Sequence, residues 1–325
     1  MIKNLLFYVS DSYNPYINLA KEKFLFDSAS SNDLILYLWQ NQNTVVIGKN
    51  QNAFSECRTE LLKEENGFLA RRLSGGGAVF HDLGNLNFTF ICSSDNLNVA
   101  NHIKVLQLAC EKAGIQTEIS GRNDILASGR KFSGNAFYNS KGTSYHHGTI
   151  LINANIEKLG RYLTPPKAKL ESKGVKSVKS RVINLLELSP TLTIDKMKEF
   201  IISSAEEFYN LKAQPFTKID DDIIKSLSQE YSNWEYLYGV PLPFNLTLQD
   251  RLSFGSVDIC LYIDKGIITS IKFYTDALDS ELSTKVETAL ISKPFDLNAI
   301  KKELLLSLAE EDANEIISLF EKQAF

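Results

Sequence analysis

The run Arg71-Arg72-Leu73-Ser74-Gly75-Gly76-Gly77-Ala78-Val79-Phe80-His81-Asp82 holds residue types that bind anions. Three successive glycines remove every Cβ from one turn, so a ligand can approach the main-chain N–H groups closely. The two arginines ahead of them supply permanently charged forks suited to phosphate or carboxylate. The spacing fits neither a P-loop, which needs Gly-Lys-Ser/Thr, nor a dinucleotide fingerprint that opens straight into a helix. A tight turn with incidental arginines is the competing reading. A second cluster runs through Gly121-Arg122-Asn123-Asp124 to Gly129-Arg130-Lys131-Phe132-Ser133-Gly134. Lys131 brings one compact, mobile positive charge, and Asp124 comes within its reach if the two segments pair as a hairpin. A third cluster, His146-His147-Gly148-Thr149, can add an imidazole, with a half-buried structural histidine as the plainer reading. No His, Cys, Asp or Glu stands at a zinc-ligand spacing.

These residues need elements to hold them. Ile2 to Val9 reads as a strand, and Asn14-Pro15 as an N-cap with proline at the first helical position, opening a helix to about Ser28 with Ile17, Ala20 and Phe24 on its apolar face. Leu34 to Trp39 and Thr44 to Ile47, separated by Gln40-Asn41-Gln42-Asn43, have a hairpin-like pattern. Strands are expected at 68–72, 77–80 and 86–92. A helix over 101–113 ends at Gly114, and extended segments follow near Glu118 and over 123–127, 131–138 and 145–153. Residues 165–181 carry a run of basic side chains, read as a solvated loop or as a flap over a phosphate ligand. After helices at 194–210 and 220–231, two prolines in Tyr238-Gly-Val-Pro-Leu-Pro-Phe mark a linker. A boundary near residue 245 then divides the chain into 1–245 and 246–325. The second part holds a hairpin around Asp264-Lys265-Gly266 and two or three helices. Strands broken by separate helices point to an α+β fold rather than βαβ repetition.

The chain has 325 residues, 44% hydrophobic and 23% charged, which excludes a wholly disordered or fibrous protein. Its 35 basic and 39 acidic residues leave a net charge of −4, so no general attraction to nucleic acid or anionic lipid is expected and an anionic ligand must be met locally. Four dispersed cysteines argue against a disulfide framework. The apolar run at the start is too short for a signal-peptide core or a membrane span, which favours a cytoplasmic protein.

In this order, the clusters resemble those of the lipoate-protein ligase family, in its bacterial A type with an extra C-terminal domain. The likeness spans nearly the whole chain, from Ser10-Asp11-Ser12-Tyr13-Asn14-Pro15 and Thr44-Val45-Val46-Ile47-Gly48 through the glycine block, Lys131-x-Ser133-Gly134 and His147-Gly148-Thr149 to the Lys265-Gly266 hairpin. The resemblance implies the α+β fold shared with biotin ligases and class II aminoacyl-tRNA synthetases, a mixed β-sheet with flanking helices, followed by a small α/β domain. It implies that ATP and lipoate form lipoyl-AMP with release of pyrophosphate. The lipoyl group then passes to a lysine of an acceptor domain, in 2-oxoacid dehydrogenase E2 subunits or the glycine-cleavage H protein.

By the same resemblance, Lys131 is catalytic and touches both ATP and lipoate. Arg72, Gly77, Ala78, Val79 and Phe80 meet ATP, and Arg71, Ser74, Gly75, Gly76 and His147 meet lipoate. Asn85, Asn123, Asp124, Ser133 and Gly134 support them, with Asp124 either holding Mg²⁺ or orienting Lys131. A thioester-forming acyltransferase of the same fold is disfavoured because no cysteine follows Lys131 through His147. Biotin ligation and lipoate binding without turnover also compete with the ligase reading.

Overall fold

A computed structural model describes residues 1–120, 124–164, 181–239 and 242–324; the expectations for Gly121 to Asn123, and for the basic run except Arg181, lie outside these. Eight strands form the main sheet: β1 (Asn4–Val9), β2 (Asp33–Trp39), β6 (Asn85–Ser93), β7 (Glu118–Ser120), β8 (Asp124–Ala127), β9 (Arg130–Ser140), β10 (Thr143–Leu151) and β11 (Ala213–Pro215). Their order is β11-β1-β2-β6-β10-β9-β8-β7, mixed parallel and antiparallel. A smaller sheet has the order β4-β3-β5, from β3 (Thr44–Ile47), β4 (Phe68–Arg71) and β5 (Val79–His81).

Every residue of β2 is buried, because both faces of the sheet are covered. Leu34, Leu36 and Leu38 face one apolar cluster, beneath helices α2 (Val99–Lys112) and α3 (Ile194–Tyr209). The alternate residues Ile35, Tyr37 and Trp39 face a second cluster, with α1 (Pro15–Ser28) and α4 (Asp221–Ser232). The expected hairpin between β2 and β3 does not form. Both edges of β2 are already taken, parallel by β1 and antiparallel by β6, so β3 leaves for the smaller sheet.

The start of α1 follows local rules: the Asn14 side chain accepts from the N–H groups of Tyr16 and Ile17, and Pro15 fills the first position. Its inward face is wider than the apolar spacing implies, since Asn18, Lys21 and Glu22 are buried along with Ala20 and Phe24.

The C-terminal unit is a three-stranded antiparallel sheet of β12 (Leu246–Leu252), β13 (Gly255–Asp264) and β14 (Ile267–Thr275), covered by α5 (Leu282–Leu290), α6 (Leu297–Ser307) and α7 (Glu310–Gln323). Its buried core is drawn from residues 248 to 320. Strand β12 is not among the strands expected from the sequence: Leu246, Leu248 and Leu252 alternate with polar residues, but Asp250 interrupts the pattern and four of its seven residues are exposed. No helix among the described residues is long and apolar enough to cross a membrane.

Two histidines stack in the main core. The His102 ring lies 4.5 Å from Phe90 and 5.5 Å from His146, and neither of its nitrogens has a partner. Burial pushes His102 down to about 3 from 6.5, and burial, with His102 alongside, holds His146 well below its ordinary value. The unfolded chain takes up these protons near pH 6.5 while the folded chain resists them, so stability is complete above that pH and falls as the medium is acidified. The slope is about 1.4 kcal/mol per pH unit for each such residue. Urea unfolding of the His102→Phe variant between pH 6.5 and 4 is therefore expected to show a shallower acid decline than the parent. An unchanged slope contradicts this.

Candidate active site

A cavity of about 280 Å³ opens between the loop after β4, strand β5 and strands β9 and β10. Lys131 is set into it by its main chain. On one side β9 pairs with β8; on the other, the Lys131 N–H donates to the Arg181 carbonyl (2.9 Å) and its own carbonyl accepts from the Ile183 N–H (3.0 Å). The ammonium Nζ stands 2.6 Å from Asp124 Oδ1 across the β8–β9 hairpin, and both side chains are partly exposed. A Cβ at position 134 would lie 2.9 Å from Nζ and 3.0 Å from Cε, so only glycine there leaves the lysine its place.

Arg72 supplies the second cation of the cavity. It donates to the carbonyls of Gly75 and Gly77, both 2.8 Å from one terminal nitrogen, to the Val46 carbonyl and, through Nε, to Ser74 Oγ at 3.0 Å. Burial lowers its pKa to about 10, which keeps it charged at neutral pH. The glycine run thus wraps its carbonyls around a guanidinium. Its outer side meets the C-terminal unit: the Gly76 N–H donates to the Ala277 carbonyl at 2.9 Å, and a Cβ on Gly75 would overlap that oxygen and stand 2.6 Å from Leu278 O.

The structure brings Arg72, Gly76, Gly77, Ala78, Val79, Lys131, Gly134 and His147 to one cavity. It does not bring Arg71, whose guanidinium donates to the carbonyls of Gly48, Lys49, Gln51, Tyr236 and Leu237 and so ties β4 to the end of the first unit. Phe80 alternates away from Val79 and packs on Tyr162. Gly75 faces Ala277, and Ser74 is wholly buried behind the wall, 2.7 Å from His147 Nε2. Ser133 and Asn85 are also buried away from the cavity, Asn85 donating to Asn87 Oδ1 at 3.0 Å. Asp124 touches Lys131, and Asn123 lies outside the described residues.

Sequence reasoning missed several wall residues. Leu19, Trp39 and Val46 form apolar wall, Asn135 and Thr149 flank Gly134, and Asp276 arrives from the C-terminal unit. Register offered a signal for one of them: Gly148 lies opposite Asn135, one residue from Gly134, which places Thr149 beside the lysine's strand. Nothing in the sequence marks Asp276.

Cationic and amide-rich walls together with an apolar one suit a ligand with an anionic head and an apolar body. None of the four cysteines lines this cavity. Burial pushes Cys57 and Cys110 up to about 12 and Cys92 and Cys260 up to about 11, which leaves no thiolate at neutral pH.

Residues 14–206 match the family model described as lipoyl protein ligase A/B catalytic domain, and residues 242–324 that described as bacterial lipoate protein ligase C-terminus. A curated relative, lipoate-protein ligase A of Bdellovibrio bacteriovorus, is 39% identical over 313 residues, covering 94% of this chain and 92% of the relative. The structure of P. falciparum LipL1 with lipoate is similar at a TM-score of 0.87 and 28% identity, covering 98% of this chain and 100% of that one. A lipoate-protein ligase A bound with ATP is similar at a TM-score of 0.64 and 25% identity, over 74% of this chain and all of the other.

The contact between Gly75 and the C-terminal unit is testable without any ligand. Gly75→Ala forces the two apart, and we expect a larger radius of gyration in small-angle scattering and a loss of about 1–3 kcal/mol in stability. Scattering and melting curves identical to the parent's contradict the contact.

Proposed function

The chain belongs to the lipoyl protein ligase family, and from that premise we propose that its cavity joins lipoate to ATP and hands the lipoyl group to an acceptor lysine. One observation carries the reading: Lys131 and Arg72 line the same cavity, and Leu19, Trp39 and Val46 supply it with apolar wall. A carboxylate attacking an α-phosphate must approach a group of like charge. Two unit charges 4 Å apart repel by about 4 kcal/mol near a protein surface, and a fixed ammonium between them reverses the sign of the local field.

In the first step a lipoate oxygen bonds to the α-phosphorus, the bond to the β-phosphate oxygen breaks, and pyrophosphate leaves. Lys131 bridges the carboxyl oxygen and the phosphate. Arg72 holds the loop whose Gly77, Ala78 and Val79 cover the nucleotide. In the second step the acceptor's ε-amine loses a proton and bonds to the acyl carbon, and the bond from that carbon to the phosphate oxygen breaks, releasing AMP. Proximity supplies much of this acceleration. His147 and Gly76 then stand along the acyl arm.

Mg²⁺ bound with the nucleotide supplies further neutralisation of phosphate charge. It typically takes one or two carboxylates together with phosphates and waters, and the partly exposed carboxylate of Asp124, beside Lys131, would fit as one of them. Asp124 would either hold this ion or stay on Lys131 as its orienting group. We take residues 1–245 as the catalytic unit and 246–325 as the accessory one. The acceptors are lipoyl domains of E2 subunits and the H protein, in the cytoplasm where ATP is plentiful.

The decisive preparation is Lys131→Gln. It keeps most of the length of the side chain but not the charge, and the rate of lipoate-dependent exchange of labelled pyrophosphate into ATP is expected to fall about a hundredfold. Exchange at the parent's rate sinks the proposal. Acyl transfer to the acceptor in the absence of ATP favours the acyltransferase reading instead.

A further inference from the structure

Behind the cavity wall a hydrogen-bonded chain crosses the core. Trp39 Nε1 donates to Thr89 Oγ1 (3.2 Å), and the Thr89 hydroxyl donates to Glu22 Oε1 (2.7 Å). The same oxygen lies 2.9 Å from His147 Nδ1; His147 Nε2 lies 2.7 Å from Ser74 Oγ, which in turn lies 3.0 Å from Arg72 Nε. Glu22 is 2% exposed, and Ser74 and Thr89 are fully buried.

With the His147 ring neutral, one assignment of protons pairs both of its nitrogens and the Ser74 hydroxyl along the chain. A guanidinium can only donate, so Ser74 Oγ accepts from Arg72. In that assignment the Glu22 carboxylate, which only accepts, holds the proton on Nδ1, so that Nε2 accepts from the Ser74 hydroxyl. Nδ1–H donates to the Glu22 carboxylate, beside the Thr89 hydroxyl. A buried carboxylate and a buried guanidinium are thereby joined through two neutral, polarised groups.

The residue types and order match a hydrolytic serine relay, but Ser74 is no nucleophile: its oxygen already accepts from Arg72, and it does not line the cavity. We propose instead that Glu22 is a positioning residue, which through His147 fixes the direction of the Ser74 hydroxyl and through it the setting of Arg72 and the glycine loop. If Glu22 becomes an amide, His147 is free to carry its proton on Nε2. Two donors then converge on Ser74 Oγ, the Ser74 proton loses its acceptor on His147, and Arg72 keeps only the carbonyls of Val46, Gly75 and Gly77 as undisturbed partners. The inference rests on the ligase reading above and adds Glu22, which does not line the cavity.

The test is a double-mutant cycle of Glu22→Gln and Ser74→Ala in lipoate-dependent pyrophosphate exchange. Neither residue lines the cavity, so each variant is expected to raise KM for ATP about tenfold while KM for lipoate stays within about twofold of the parent's. Because both break one chain, the double variant should be no worse than the weaker single. Additive losses of about a hundredfold, or a rise confined to KM for lipoate, overturn the proposal. Should Glu22→Gln fail to fold, as judged by its melting curve, Thr89→Val replaces it in the cycle and removes one of the two donors to the carboxylate. A parent protein without lipoate-dependent exchange sinks the ligase reading itself, whereas an active parent with additive variants sinks this inference alone.

Discussion

Two adjacent guanidiniums, Arg71 and Arg72, are buried in a chain whose net charge is −4, and the site depends on how the main chain pays for them. Removing a bare cation from water costs several kcal/mol, recovered only where charge-assisted hydrogen bonds meet nearly every donor. Each arginine recruits carbonyls. Arg71 draws in Gly48, Lys49 and Gln51 from one side and Tyr236 and Leu237 from the other, so the end of β4 is tied to residues far along the chain. Arg72 draws in Gly75 and Gly77, and this gives the glycine loop its shape. A loop without side chains has few contacts of its own, so the cation inside it supplies the order.

That loop, in turn, is where the two units touch. Gly76 and Ala277 share a hydrogen bond, the Asn50 carbonyl accepts from the Thr275 N–H, and Lys49 pairs with Glu281 at 2.7 Å. Asp276, between the first two of these contacts, lines the cavity and is itself held by the Ser256 N–H at 2.7 Å. The Lys131 ammonium lies on a separate element, fixed by β8 and by residues 181 to 183. One cation sits on the sheet and the other in the loop, and the shape of the cavity is set by both.

Local chemistry was legible in the sequence. The Asn14-Pro15 start of α1, the Lys265-Gly266 turn and the approach of Asp124 to Lys131 each depend on residues within one turn or one hairpin. What escaped depends on neighbours distant in sequence. The β2–β3 hairpin failed because β1 and β6 had claimed both edges of β2. Glu22 reads as a polar helical position and turns inward only because His147 and Thr89 wait there. Arg71 and Phe80, which the motif groups with the site, face away from the cavity, since alternation along a strand sends neighbours to opposite sides. The resemblance supplied the chemistry; the tertiary fold decided which members of the motif face the cavity.

The central claim is that a carboxylate oxygen attacks phosphorus inside this cavity, and oxygen labelling tests it directly. The protein is supplied with lipoate carrying ¹⁸O in its carboxylate, Mg-ATP and a lipoyl domain, and the products are weighed by mass spectrometry. The account predicts AMP that has gained one ¹⁸O and pyrophosphate that has gained none. Unlabelled AMP, with the departing ¹⁸O found instead in pyrophosphate, phosphate or water, would contradict it.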